Sequence, residues 1–225
     1  MNFLSHFYFD SLSRQPYQIL GGLLPDLVKN ADKSWNIHPE KLPISVFDNP
    51  HHLQILKGWN SHLRVDKLFH SSAFFAHHLH QIKQPLLGLL KGTAIKPFFL
   101  AHISIELLLD SLLITENMVV VENLYLKLNE IDDTEILYFL RLNQIQDIAK
   151  FQNFYSVFKT EKYLSTYAHT DKISYALKRI CMRIWDTPIS QTQEIELTEI
   201  LNAYKIKLSQ DFIFIFEHIA AKLLT

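Results

Sequence analysis

The sequence has a single cysteine and few of the residues that break helices. Its 225 residues include five glycines and eight prolines, whereas hydrophobic residues make up 48%. One cysteine, Cys181, excludes an intramolecular disulfide and a metal site built from several thiolates, and we expect a reducing, cytoplasmic compartment. Few breakers and long apolar-periodic segments favour an all-α protein.

The chain also has no strong net charge, and we expect neither a signal peptide at its start nor a membrane segment. The formal net charge of −1 gives no indication of a nucleic-acid partner. The opening, MNFLSHFYFDSLSRQ, has neither the basic region nor the cleavage site of a signal peptide. Glu106 and Asp110 interrupt the longest apolar run, so we expect no membrane span.

Helical patterns run through the chain without an internal repeat or a clear linker. A loop is expected at 31–50, where prolines and turn formers cluster. Gly21 and Gly22, followed by Pro25, predict a helix break or a close approach. We therefore predict one all-α domain over residues 1–225, a bundle of about eight helices. The predicted helices include 2–13, 51–82, 118–129, 132–150, 152–168, 171–185, 190–223 and one beginning at Pro97.

Two stretches place ligand-type side chains four residues apart. They contain His62, Asp66 and His70 in HLRVDKLFH, and His102, Glu106 and Asp110 in HISIELLLD. Residues i, i+4 and i+8 of an α-helix lie along one stripe that drifts about 40° per step. Imidazole and carboxylate groups suit Mn²⁺, Fe²⁺ or Zn²⁺. For the first stretch, a metal site and a solvated helix face remain equal alternatives.

The second stretch is harder to explain as a surface, because its helix is otherwise apolar. A buried carboxylate is normally neutralised, paired or bound to metal. His102 and Glu106 therefore favour a polar site, while Asp110 is either part of it, paired with an arginine, or a cap on a neighbouring helix. His6 and Asp26 are candidates to complete the site, although a lone histidine on an apolar helix is more often a core residue.

Other catalytic patterns are missing from the sequence. It contains no phosphate-binding glycine-rich loop, no Gly-x-Ser-x-Gly and no His-Glu-x-x-His motif. A metal-activated water is the chemistry that these residues support best.

The charges are unevenly distributed along the chain. Residues 111–139 hold one lysine and six acids, whereas residues 140–186 hold eight Lys/Arg and four acids. The second segment is either an ordinary solvated face or a docking surface for an acidic partner. Its cations include Arg141, Lys150, Lys159, Lys162, Lys178, Arg179 and Arg183.

Four motifs, in order from residue 1 to about 183, resemble the acyl carrier protein phosphodiesterase family. MNFLSHFYF resembles its Met-Asn-Phe-Leu-Ala-His opening, and GGLLPDLVK its Gly-Asn-Leu-Leu-Pro-Asp-Phe-Val segment. GWNSHLRVDKLF resembles its Gly-Ile-x-x-His-Arg-x-Ile-Asp-x-Phe-Thr-Asp segment, and YLSTYAHTDKISYALKRICMR is loosely similar to a later one. The resemblance implies a helical hydrolase with an HD-like arrangement and a divalent metal, usually manganese. Its named activity, in fatty acid biosynthesis, removes 4′-phosphopantetheine from holo acyl carrier protein.

By position, the family's polar residues match His6, Asp26, His62 and Asp66. The chain departs from the family pattern at three ligand-type positions, where aspartates are replaced by His70, His102 and Glu106. Leu107 stands where the family has histidine, and Leu63 where it has arginine, with Arg64 one place on.

The sequence thus predicts a metal-dependent phosphodiesterase, with one or two metal ions between the helices that bear the two stretches. The predicted ligands are Asp26, His62, Asp66, His102 and Glu106. The leaving group would take its proton from His70 or His6, Arg64 would balance phosphate charge, and an acidic acyl carrier protein would dock on the basic segment. The alternatives are a non-catalytic relative that binds carrier protein and a phosphoesterase that acts on a nucleotide or a lipid headgroup.

Overall fold

The computed structural model describes residues 1–11, 13, 15–186 and 189–224, and within them the chain is helical. Eleven α-helices and three 3-10 helices occur, and the described residues form no strand, which confirms the all-α prediction. The α-helices are α1 (Phe3–Asp10), α2 (Pro16–Ala31), α3 (Pro50–His70), α4 (Ala73–Leu89), α5 (Pro97–Thr115), α6 (Val121–Asn129), α7 (Asp133–Leu142), α8 (Ile148–Glu161), α9 (Thr170–Met182), α10 (Gln191–Leu208) and α11 (Phe212–Leu223). The 3-10 helices are Pro39–Lys41, Ile44–Val46 and Tyr163–Ala168.

The predicted number of about eight helices is too low, because short polar breaks divide segments that were predicted as single helices. Residues 51–82 contain the end of α3 and the start of α4. Ser72 caps α4, since its hydroxyl accepts a 3.0 Å hydrogen bond from the backbone N–H of Phe75. In the same way, residues 190–223 contain α10 and α11, which are separated by Ser209–Asp211.

The described residues group into two compact units, each of which has its own core. The first comprises Met1–Ser5, Lys67–Val119 and Ser165–Thr225, and the second His6–Asp66 and Val120–Leu164. The single-domain organisation and the HD-like arrangement remain predictions.

In the first unit, α5 is the central helix and packs against α4, α9 and α10. Its buried residues include Leu100, Ile105, Leu108 and Leu112, which do not lie on one narrow face. A helix that is apolar on most sides is stable in water only when other elements cover it. By length and composition α5 also qualifies as a candidate membrane span. Of its apolar 18-residue stretch, 61% is buried inside the protein. The expected absence of a membrane span therefore stays a prediction.

In the second unit, α2 packs against α3 at glycine contacts, and it also contacts α6 and α8. A Cβ atom on Gly21 would overlap the carbonyl oxygen of Ile55, and one on Gly58 would overlap that of Gln18. The close approach predicted for the glycine pair is confirmed. The predicted break is wrong, because α2 continues through Pro25. This contact brings the backbone of α2 next to the part of α3 that carries His62.

Candidate metal centre

His6, His62 and Asp66 come together in the second unit. Both histidines are almost fully buried, whereas the Asp66 side chain is 31% exposed. The Nε2 atom of His6 lies 3.3 Å from Oδ1 of Asp66, and the Nε2 atom of His62 lies 3.5 Å from Oδ2. The two imidazole rings are stacked, with centroids 3.7 Å apart. The arrangement offers two nitrogen ligands and one oxygen ligand within 4.8 Å of one another.

The orientation of the His62 ring is set by the backbone of α2. Its Nδ1 lies 2.8 Å from the carbonyl oxygen of Gly22. Because a carbonyl oxygen only accepts, Nδ1 carries the proton and donates it, and Nε2 is directed at Asp66. A histidine that binds metal through one ring nitrogen commonly donates the other N–H to a backbone carbonyl. His62 thus has the support that a metal ligand needs.

Two of the three groups, His6 and Asp66, are in the form that binds a cation at neutral pH. Burial and the neighbouring His62 lower the pKa of His6 to about 3, so this imidazole is neutral. Burial opposes ionisation of Asp66, yet hydrogen bonds with His6 and His62 hold its pKa well below the usual range. The pKa of His62 is raised despite burial, because Asp66 and Asp26 stabilise its charged form. A divalent cation would take the place of that proton.

Asp26 lies on α2 and acts on the same group through its charge. It is half-buried, and its carboxylate is one of the charges that raise the pKa of His62. Its oxygens are not among the three converging ligand atoms. Asp26 would therefore act either as an additional metal ligand or as a negative charge next to the metal. The donor set of two imidazoles with one or two carboxylates fits Mn²⁺, Fe²⁺ or Zn²⁺.

The other predicted ligands form a second group, which lies in the first unit. The Nε2 atoms of His70 and His102 lie 3.0 Å and 3.1 Å from Oε1 of Glu106. Four of the five predicted ligands therefore fall into two groups of donor atoms, His62 and Asp66 in one and His102 and Glu106 in the other. His70, predicted as a proton donor, joins the second group through Glu106.

Asp110 has a structural role. It caps a neighbouring helix, which is one of the alternatives that its sequence context left open. Its carboxylate is fully buried and accepts hydrogen bonds at the start of α1, from the backbone N–H groups of Leu4 and Ser5, the Ser5 hydroxyl and the Asn2 amide. Backbone N–H groups in the first turn of a helix have no intrahelical partner. Asp110 supplies that partner from α5 and is not a metal ligand in either group.

Arg64 is exposed on α3, two residues after His62. Two residues correspond to about 200° around a helix, so Arg64 lies on the side away from His62 and Asp66. Its role toward phosphate remains a prediction.

The basic segment is partly neutralised by contacts within the protein. Lys150, Lys159 and Lys178 each form an ion pair of 2.7 Å, with Asp32, Asp133 and Glu194 respectively. The segment is also divided between the two units after Leu164. Arg141 and Arg179 are exposed, and neither forms an ion pair with another of the described residues. Arg141 thus offers exposed positive charge in the second unit and Arg179 in the first, and the docking of an acidic partner remains a prediction.

Sequence reasoning missed the two backbone features that hold the site. The Gly22 carbonyl that orients His62 carries no side-chain signal. Gly58, which allows α3 to approach α2, is an isolated glycine in a helical pattern, and such a glycine often marks close packing.

Comparisons with known proteins find no match, either among family models, among curated proteins or among solved structures. The resemblance to the acyl carrier protein phosphodiesterases therefore rests on the sequence motifs alone.

Proposed function

We propose that the protein is a metal-dependent phosphodiester hydrolase whose metal is held by His6, His62 and Asp66. The convergence of two imidazoles on one carboxylate, with His62 oriented by the Gly22 carbonyl, carries this proposal. The Nδ1 atom of His6 is buried and has no hydrogen-bond partner. The Nε2 atom of the same ring is buried as well and faces Oδ1 of Asp66 at 3.3 Å, so this nitrogen is available to a cation.

The residues of the group have distinct roles in this proposal. Neutral His6 and ionised Asp66 offer lone pairs at neutral pH, and the Gly22 carbonyl keeps the His62 Nε2 atom directed at Asp66. Asp26 adds negative charge that balances a divalent cation. A bound divalent cation supplies acidification of water and stabilises charge on phosphoryl oxygens. With a pKa of about 3, His6 is a better ligand than a proton donor, which replaces the role expected from the sequence.

The substrate that we propose is a carrier protein bearing 4′-phosphopantetheine. The resemblance of four motifs supports this choice, and the exposed Arg141 and Arg179 offer positive charge to an acidic protein. Hydrolysis would break the phosphodiester link and release 4′-phosphopantetheine together with the carrier protein that has lost it.

The test is the release of 4′-phosphopantetheine from holo acyl carrier protein, measured by mass spectrometry after removal and re-addition of Mn²⁺. Activity is expected with Mn²⁺ and not after chelation. Asp26→Ala should lower the rate at least about 10-fold, the lower end of the loss from disturbing groups around a metal. Asp48→Ala, which removes an exposed carboxylate of the same unit, is the matched control.

Two other results would replace the proposal. Hydrolysis of simple diesters without release of 4′-phosphopantetheine would indicate a phosphoesterase with another substrate. Binding of the carrier protein without metal or hydrolysis would indicate the non-catalytic relative.

A further inference from the structure

The group formed by His70, His102 and Glu106 has the composition of a metal site. His70 ends α3, and His102 and Glu106 lie one turn apart on α5, all within the first unit. Their ligand atoms lie within 4.8 Å of one another. They offer two imidazole nitrogens and one carboxylate oxygen, a donor set common in zinc and non-haem iron sites.

Donors crowd onto a single oxygen of Glu106. The Nε2 atoms of both histidines and the amino nitrogen of Met1 all lie within 3.1 Å of Oε1. No described residue donates a hydrogen bond to Oε2. A carboxylate has about four lone-pair positions on its two oxygens, so donors are not restricted to one of them. The two imidazole nitrogens and the carboxylate are therefore already close enough together to bind one ion.

The two rings are held in place by aromatic packing. The buried ring of Phe75 contacts both His70 and His102 edge-on, with centroids 5.1 Å and 5.0 Å away. Phe69 contacts His70 from the preceding position. Ligands held by packing lose less conformational entropy when they bind a metal, which makes the site more effective.

We propose that His70, His102 and Glu106 form a second divalent-cation site, which shares no ligand with the one proposed above. The nitrogen-rich donor set selects Zn²⁺, Co²⁺ or Fe²⁺ over Mg²⁺ or Ca²⁺. The histidine side chains keep 32% and 30% of their exposure, so coordination positions remain open to water or to an anionic ligand. This proposal does not rest on the proposed hydrolase function.

The test counts Co²⁺ ions bound to the whole chain by equilibrium dialysis and by visible absorption. The wild type is expected to bind two equivalents. Glu106→Gln and His102→Ala should each bind one, and His62→Ala should also bind one. Glu106→Gln keeps the size of the side chain and one acceptor oxygen for the donors on Oε1 but removes the negative charge, so a loss of metal reports on the charge of the ligand. His80→Ala removes an exposed histidine of the same unit and should still bind two.

The results separate the two proposals. If Glu106→Gln and His102→Ala bind as much Co²⁺ as the wild type, the second site is wrong, whatever the His62 variant does. If only these two variants lose metal and His62→Ala does not, the second site stands and the first is wrong. Far-UV circular dichroism confirms that each variant is folded before its metal is counted.

Discussion

The His62 imidazole donates a 2.8 Å hydrogen bond from Nδ1 to the carbonyl oxygen of Gly22. This contact joins α2 to α3 at the candidate metal centre and leaves one ring nitrogen directed at Asp66. The Gly22 carbonyl can reach His62 because the two helices pack closely. Glycines at the contact allow the two backbones to approach.

The glycine contact predicts that Gly58→Ala destabilises the protein. The added Cβ would overlap the Gln18 carbonyl oxygen, which belongs to rigid backbone, so the helices must separate. Overpacking of this kind costs about 1–3 kcal/mol. Chemical denaturation in urea should show the transition midpoint shifted to lower concentration.

Gly88→Ala is the matched control for this substitution. Gly88 lies inside α4 and has no atom within 4 Å of an added Cβ. Replacing a helical glycine with alanine in open space should stabilise the protein by about 0.5–1 kcal/mol. If both variants shift the midpoint in the same direction, the packing argument for α2 and α3 is wrong.

Asp110 predicts a specific pH dependence of stability. Burial raises its pKa to about 6 although hydrogen bonds from Ser5, Leu4 and Asn2 oppose the rise, whereas the ordinary value is 3.8. Because the folded protein holds this proton more tightly, the contribution is fully present below about pH 4 and is lost as pH rises through 6. Its size is on the order of 3 kcal/mol.

The comparison for Asp110 is the Asp110→Asn variant, which does not titrate. Between pH 4 and pH 7, the free energy of unfolding of the wild type should fall relative to that of the variant. Parallel pH curves for the two proteins would show that the raised pKa is not real.

His78 predicts the opposite dependence, on the acid side of neutrality. Its Nδ1 lies 2.8 Å from the Tyr204 hydroxyl oxygen and its Nε2 lies 3.2 Å from Asp211. Burial lowers the pKa of His78, although Asp211 opposes this. Since the folded pKa is below the unfolded one of about 6.5, stability is present above that pH and lost as pH falls through the folded pKa.

When the pH falls from 7 to 5, the melting temperature of His78→Gln should therefore fall less than that of the wild type. His80→Gln, which alters an exposed histidine two residues on, should follow the wild type. Equal acid sensitivity in all three proteins would rule out His78 as the source.

Arg179, rather than its neighbour Lys178, is expected to contact a bound carrier protein. Arg179 is exposed, whereas Lys178 is half-buried and paired with Glu194 at 2.7 Å. Arg179→Glu should raise KM for holo acyl carrier protein several-fold, and the effect should shrink in high salt because screening weakens exposed charges. Hydrolysis of a small diester should not change. A loss of activity on both substrates would show that the residue acts on folding or on the site.

Local periodicity was sufficient to predict the helical class and part of the candidate site. The four-residue spacing of His62 and Asp66 placed both on one face of a helix, and the structure has them there. The apolar setting of Glu106 indicated a polar group, and the structure brings His70, His102 and Glu106 together. The alternative that Asp110 caps a helix was also open from its sequence context.

Tertiary packing determined what the sequence did not predict. The joining of His6 to His62 depends on how α1 meets α3, and no spacing within either helix encodes it. The division of the predicted ligands into two groups has the same origin. The extra helix breaks escaped prediction because Ser72 and Ser209 are weak signals inside long helical patterns.

The most direct test of the account is the anomalous scattering of a crystal equilibrated with Mn²⁺. The account predicts a peak about 2.0–2.2 Å from the Nε2 atoms of His6 and His62 and from a carboxylate oxygen of Asp66, at typical metal–ligand distances. The same measurement on His62→Ala crystals should show no peak there. Clear density for the three side chains with no anomalous peak between them would contradict the central claim that this group holds a metal.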